Sequence, residues 1–225
     1  RQIEEPGSRT VWLLCAPTLH DVLPTIRSRS RHLQLRTPSV TAVAQVLINS
    51  DKIEPKLAEF AARVSQGHIG RARYLATNET ARKNRETIMQ IPFQLGSLSS
   101  ALQAAQTLVD IATGEAKAAT DTLDESEKEI LEAAYGKGST GRGMATGGSK
   151  AVKELEKDQK ARTTRAIRDS IDWALLDLAT FYRDLMMIQS GIERVFINCE
   201  LEPQLEAQSL KSNPASTIQK MDTIL

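Results

Sequence analysis

The sequence predicts a mainly α-helical protein of one to two domains, and three observations support this prediction. The 225 residues have an ordinary globular composition, with 40% hydrophobic and 25% charged residues. From Glu79 onward, apolar residues recur every three or four positions, which is the period of an amphipathic helix. The strand-like runs, residues 11–16 and 32–35, are short and lie near the start of the sequence.

The composition also limits the kinds of function to consider. Lys and Arg total 29 against 28 acidic residues, so the net charge is +1 and any basic surface must be local. Aromatic residues make up 4% of the chain, which disfavours a platform on which single-stranded bases stack. Cys15, Cys199 and three histidines provide neither a disulfide framework nor a zinc site. We therefore expect a cytoplasmic protein with no metal site and no membrane-spanning segment.

The first 36 residues are predicted to contain at most two short strands, at 11–16 and 32–35. Two strands cannot bury both of their faces, so this piece requires a larger sheet to join. Residues 37–39 (Thr-Pro-Ser) mark the boundary of this region, because Pro and Ser are typical of a helix start.

Three short helices are predicted to follow, and Gly67 is expected to end the second of them. Their approximate ranges are 40–50, 55–65 and 69–78. Beyond them we expect a helix over 80–90 that Pro92 breaks, and long helices over 98–134 and 150–191. A further helix pair is predicted after Pro203. Residues 136–149 are predicted to form a flexible glycine-rich loop, without the Gly-Lys-Ser/Thr order of a phosphate-binding loop.

The segment from Arg142 to Arg168 contains eight basic and three acidic residues. A contact with a DNA backbone is conceivable for such a segment, because each neutralised phosphate releases counterions. The acids Glu154, Glu156 and Asp158 are spaced to pair with these cations along a helix. The sequence therefore favours a solvated helix face here.

Two motifs resemble a known family. Glu5-Pro6, the run at 11–16, Pro17-Thr18 and the run at 23–30 (Leu-Pro-Thr-Ile-Arg-Ser-Arg-Ser) follow the order seen in AAA+ clamp-loader subunits. In that family a Ser-Arg-Cys motif follows a Leu-Pro-x-Thr-Ile-like segment, and here serine stands in place of the cysteine. Residues 67–72 resemble the Gly-x-x-Gly-Arg-Ala pattern of the family's lid domain. The specific resemblance covers about the first eighty residues.

The resemblance implies a division into three parts. Residues 1–36 resemble the C-terminal end of an AAA+ ATPase domain, residues 37–80 a three-helix lid, and residues 81–225 a helical collar that mediates oligomerisation. The sequence is most similar to delta-prime subunits of the bacterial DNA polymerase III clamp loader, of an actinobacterial type. We accordingly expect a fragment that is truncated at both ends.

By this resemblance, Arg29 is an arginine finger that acts in trans on the ATP site of a neighbouring subunit, and Ser28 positions it. Thr18 lies near the sensor-1 position, and Arg71 lies near the sensor-2 position of the lid. Ala16 and Pro17, which are nearer the expected sensor position, cannot hydrogen-bond through their side chains. This departure puts ATP hydrolysis by this subunit in doubt. From the residues alone, Arg29 could instead pair with a carboxylate of its own lid, and a solvated helix-face position is favoured for Arg71.

The expected partners are the gamma/tau and delta subunits and, through the hetero-oligomeric complex, the sliding clamp and primed DNA. No cofactor is expected in the fragment, and ATP would be bound by neighbouring subunits. The chain would belong to a DNA-directed DNA polymerase complex (a nucleotidyltransferase) without being catalytic by itself. Two alternatives are a gamma/tau-type ATPase subunit of the same loader and a helical interaction module with no nucleotide role.

Overall fold

The structure is a computed structural model that describes residues 9–135, 148–192 and 195–224. The chain divides into two compact units, Arg1–Pro38 and Ser39–Leu225. The described part of the first unit contains a 3₁₀ turn, Leu19–Asp21, and one helical turn, α1 (Pro24–Arg27). None of its side chains is buried, and Val11, Leu13, Leu33 and Leu35 are each at least 80% exposed.

The prediction of strands at 11–16 and 32–35 is wrong for this structure, since the described residues contain no strand. Both runs lie outside regular secondary structure. A strand requires hydrogen-bonding partners along its edge, and the described residues of this unit provide no neighbouring strand. The strand-like composition of the two runs is therefore not accompanied by a sheet in the described residues.

The second unit begins with three short helices, α2 (Val40–Asp51), α3 (Pro55–Val64) and α4 (Ile69–Thr77). Each has a side-chain cap at its N-terminus, where Ser39, Glu54 and His68 accept a hydrogen bond from the backbone at 3.2, 3.0 and 3.0 Å. Buried alanines, valines and leucines of these helices form one core cluster. These ranges agree with the predicted helices to within a few residues.

Helix α5 (Glu79–Gln94) is capped by Asn78, whose side chain accepts from Ala81 N at 3.0 Å. It continues through Pro92, so the predicted break at this proline is wrong. Proline removes one backbone hydrogen bond and crowds the preceding turn. Ile88, Met89 and Pro92 are buried, and their burial offsets this cost.

The long helices α6 (Leu98–Tyr135) and α7 (Gly148–Gln189) pack against each other along their length and run antiparallel. Glu115 pairs with Ser170 and Asp124 with Arg162, which fixes the direction. The predicted glycine-rich loop 136–149 lies outside the described residues, apart from its last two residues, which begin α7.

The C-terminal part contains a 3₁₀ turn, Cys199–Leu201, and helices α8 (Glu202–Ser209) and α9 (Pro214–Ile224). Leu201 and Leu205 pack with Met89 of α5 and with Phe181 and Leu185 of α7 in a second core cluster. A third cluster joins α5 and α7, with apolar residues of α6 against it. The described residues thus form a mainly α-helical fold, as the sequence predicts.

Candidate functional site

The predicted finger residue lies in a tight turn after α1. Ser28 follows the last residue of that helix, and its Oγ donates to Thr25 O at 3.1 Å. Ser30 Oγ donates to Ile26 O at 2.7 Å, and the backbone N–H of Arg29 donates to the same carbonyl at 3.2 Å. The hydroxyls on both sides of Arg29 are therefore bonded back to the helix, while the Arg29 residue itself is exposed.

His32 adds a further constraint on this turn. Its Nε2 donates to Arg27 O at 2.8 Å, across five residues of chain. The short peptide between α1 and His32 is thus closed by side-chain hydrogen bonds at both of its ends. This arrangement suits a turn that presents one side chain, because the backbone beneath it is held by local contacts.

Thr18 caps the 3₁₀ turn Leu19–Asp21. Its Oγ1 accepts from His20 N at 3.2 Å and donates to Asp21 Oδ2 at 3.0 Å, while Thr18 N donates to the same carboxylate oxygen at 3.0 Å. This is a capping box, in which side chain and backbone satisfy each other. The threonine hydroxyl therefore has a local structural use, and its predicted nucleotide contact stays a prediction.

Arg71 lies in α4 of the second unit and is 7% exposed. Its Nη2 donates to Asp177 Oδ2 at 2.5 Å, and its guanidinium carbon lies 4.4 Å from the ring centroid of Trp173. Asp177 and Trp173 both belong to α7. Arg71 is therefore a buried, charge-paired and ring-stacked side chain, so it is not on a solvated helix face, and its nucleotide contact stays a prediction.

A second arginine shares Asp177. Arg85 of α5 is 5% exposed, and its Nε donates to Asp177 Oδ1 at 3.2 Å. Arg85 Nη2 donates to Asn198 Oδ1 at 2.5 Å. Asn198 in turn bonds through its backbone N–H to Asp184 Oδ2 at 2.8 Å. A connected polar network thus ties α4 and α5 to α7 and to the segment before α8.

The environment of Arg71 acts on its ionisation in two opposing ways. Burial lowers the pKa of the Arg71 guanidinium, and the charge of Asp177 raises it. Burial removes the charged group from water, but the carboxylate restores a favourable partner. Arginine retains its proton under such conditions because its intrinsic pKa is very high. Arg71 and Asp177 therefore form a charged pair inside the unit.

A pocket with a volume of about 340 Å³ lies beside this pair, between α4, α5, α6 and α7. Small side chains such as Ala81, Ala116 and Ala166 leave this space, and Arg71 and Trp173 contribute to its wall. Arg71 Nη1 is buried and has no hydrogen-bond partner among the described residues. One guanidinium donor next to the pocket is thus still available for an acceptor.

The structure places the predicted site residues in separate surroundings. Ser28 and Arg29 share one turn of the first unit, whereas Arg71 belongs to the buried network of the second unit. Sequence reasoning missed that network. Asp177 and Asp184 are seven residues apart within the most apolar stretch of α7, and a charged pair at that spacing inside a buried face signals internal partners.

No group of three or more His, Cys, Asp or Glu side chains is placed to hold a metal ion in the parts of the chain that the structure describes. Within the same parts, no helix combines the length and the apolar character needed to cross a membrane.

Comparison with protein families gives a match at the start of the chain. Residues 1–39 match the family model described as DNA polymerase III, delta subunit. The matched stretch contains Thr18, Ser28 and Arg29, and it supports a relationship to the DNA polymerase III clamp-loader family. The chain has no match among curated proteins and none among solved structures.

Proposed function

We propose that the chain is a delta-prime-type subunit of a DNA polymerase III clamp loader, and that Arg29 acts in trans at the ATP site of a neighbouring subunit. The observation that carries the proposal is the exposed Arg29 in a side-chain-braced turn, within the stretch that matches the DNA polymerase III family. The hydroxyls of Ser28 and Ser30 are bonded back to the helix, and Arg29 between them is exposed.

The chemistry of arginine suits this role. Its planar guanidinium presents five N–H donors and stays charged, so it can stabilise the charge that builds on a transferred γ-phosphoryl group. A finger of this kind contributes a factor of about 10³–10⁵ in rate at the site it serves. An arginine supplied by another subunit is better positioned against a phosphate when the backbone that carries it is held, and the two serine hydroxyls support such positioning.

Further nucleotide contacts are subordinate proposals. Thr18 would act near the γ-phosphate only if its hydroxyl left the capping box with Asp21. Arg71 would act through Nη1, the donor that lacks an internal partner. Thr18 would have to give up its hydrogen bonds to Asp21, and Arg71 is buried, whereas Arg29 is already exposed. The proposed contribution of this subunit to ATP chemistry is therefore centred on Arg29.

The helical second unit is proposed to supply the lid and collar of the subunit. Residues 1–36 would complete an ATPase-like domain, residues 37–80 would form the lid, and residues 81–225 would mediate assembly with gamma/tau and delta subunits. The complex as a whole would place a sliding clamp on primed DNA, in the cytoplasm. The shared polar network around Asp177 supports a rigid connection between the helices assigned to lid and collar.

The proposal is tested by steady-state ATPase assays of a reconstituted loader with clamp and primed DNA, carrying Arg29→Ala in this subunit alone. We expect turnover to fall at least about ten-fold, because the neighbouring ATP site loses its finger. Arg31→Ala, two residues further on and also exposed, is the matched control and should leave turnover unchanged. Equal turnover of the Arg29 variant and wild type, with assembly intact on a sizing column, would leave this subunit with a scaffolding role only.

A further inference from the structure

The N-terminal half of α7 carries a line of exposed cations. Lys150, Lys153, Lys157, Lys160 and Arg168 are all exposed, and we call them the α7 basic ridge. Successive helix residues are rotated by about 100°, so these five positions and Thr164 fall within an arc of about 80°. The ridge is about 27 Å long at 1.5 Å per residue. None of the acidic residues of this half-helix falls within the arc.

The opposite side of the same half-helix packs against α6. Gln159 is buried and donates through Nε2 to Asp124 O at 2.9 Å. Arg162 forms ion pairs with Asp124 and Glu127, each at 2.7 Å. The cations needed for packing within the hairpin are thus separate from those of the ridge, which faces away from α6.

The ridge cations are not neutralised by their neighbours. Glu154 and Glu156 border the arc on its two sides, and Asp158 lies beyond Glu154, so the sequence predicts that these acids pair with the lysines. No described carboxylate oxygen lies within 4.0 Å of a ridge nitrogen. The predicted pairing is therefore absent from the described residues, and the ridge keeps its positive charge.

The ridge ends where the helix enters the bundle. The same series of three- and four-residue steps continues from Arg168 to Ile171, Leu175 and Leu178, which are half-buried or buried. Cations thus occupy this face of α7 only where nothing covers it in the described structure. A solvent-facing helix requires polar residues, but it does not require one sign of charge at five of six successive face positions.

We propose that the α7 basic ridge binds the phosphate backbone of double-stranded nucleic acid. Duplex DNA carries one negative charge per about 1.7 Å of helix axis, so a 27 Å line of unpaired cations lies in the field of many phosphates, and its flexible lysines can reach those that flank it. The ridge has no aromatic residue, which excludes base stacking and makes the recognition independent of sequence. On the opposite side of α7, the α6 acids Asp124 and Glu127 are paired with Arg162.

The test is a fluorescence-anisotropy titration of a labelled 30-base-pair DNA duplex with the full chain at several salt concentrations. If five phosphates are neutralised, the logarithm of the association constant falls with the logarithm of salt concentration with a slope of about −4.5. Lys153→Gln, Lys157→Gln and Lys160→Gln together should make the slope shallower by about 3 and weaken binding at least ten-fold at 50 mM salt. Replacing the same three lysines with arginine should preserve binding.

The matched control replaces Lys56, Lys83 and Lys211 with glutamine, which changes the net charge equally at exposed positions outside the ridge. We expect this variant to bind within about two-fold of wild type, with an unchanged salt slope. The proposal is overturned by equal weakening in the two triple variants, by absence of duplex binding at 50 mM salt, or by binding of single strands but not duplex. Because all six positions are exposed, we expect both variants to fold, and circular dichroism checks this for each of them.

Discussion

The two compact units of this chain differ in what their residues bury. Residues 9–38 contain no buried side chain, although apolar residues such as Leu13 and Leu35 are 89% and 92% exposed. The unit Ser39–Leu225 contains three core clusters, and Leu47, Leu205 and Phe181 are completely buried. Burial of apolar surface is the main stabilising term of folding. The second unit is stabilised by such burial, whereas the described residues of the first unit have only local hydrogen bonds to stabilise their turns.

The difference shows that local hydrogen bonds define the conformation of short turns, whereas long-range burial defines how helices pack. In the first unit, one capping box and serine-to-backbone bonds define short turns around Thr18 and Arg29. In the second unit, helices are fixed by their cores and by the charged network at Asp177. The first arrangement presents a side chain at a surface, and the second holds long helices together.

The largest effect is expected from Asp177→Ala. This change leaves Arg71 and Arg85 buried without their shared carboxylate, which should lower the free energy of unfolding by about 3–5 kcal/mol. The measurement is urea-induced unfolding followed by the helical circular dichroism signal. Asp51→Ala is the control, because its partner Arg73 is about half exposed, and it should cost at most about 1 kcal/mol. Equal losses in the two variants would contradict a special role for the buried network.

The next effect compares one leucine from each unit. Leu47→Ala removes a side chain that is completely buried in α2 and should cost about 2–5 kcal/mol. Leu35→Ala removes a side chain that is 92% exposed and should change stability by less than about 0.5 kcal/mol. Urea unfolding of both variants provides the measurement. A similar loss from both would mean that residue 35 is covered in solution.

The smallest effect concerns the ion pairs of the α6–α7 hairpin and depends on pH. The hydrogen bond from Arg162 lowers the pKa of Glu127, so this carboxylate stabilises the folded state above its unfolded pKa of about 4.3. That contribution is lost as pH falls through the lowered folded value. Arg162→Gln should therefore lower the thermal midpoint at pH 7, and the difference from wild type should shrink at about pH 3.

The control for this prediction lies three residues further along the same helix. Arg165 donates to Ala161 O at 3.3 Å and makes no ion pair within the described residues. Arg165→Gln should therefore produce the same small difference from wild type at both pH values. A difference for Arg162→Gln that stays constant or grows in acid would show that its carboxylate pairs do not stabilise the hairpin.

The sequence predicts the helical unit well and the first unit poorly, for a physical reason. Helices α2 to α7 satisfy their own backbone hydrogen bonds, so capping residues and apolar period identify them without knowledge of tertiary contacts. The runs at 11–16 and 32–35 have strand composition, but strands depend on partners that local sequence does not specify. The break predicted at Pro92 does not occur, because burial of Ile88, Met89 and Pro92 offsets the lost hydrogen bond.

The candidate sites show the same contrast. Ser28 and Arg29 are adjacent in sequence, so a local motif was enough to single them out. Arg71 was identified by its neighbouring glycines, but its contact with Asp177 spans 106 residues and could not be derived from them. The sequence alone shows the cations of the α7 basic ridge, whereas only the structure shows that the neighbouring acids do not pair with them.

The account is tested most directly by measuring ATPase turnover and unfolding in the same two variants, Arg29→Ala and Asp177→Ala. We predict that Arg29→Ala lowers the turnover of the assembled loader at least about ten-fold and leaves the unfolding free energy of the chain unchanged. Asp177→Ala should lower the unfolding free energy of the chain and leave the turnover per assembled complex unchanged. Unchanged turnover in the Arg29 variant, or a loss explained by its unfolding, would contradict the proposal that this exposed turn supplies an arginine to a neighbour.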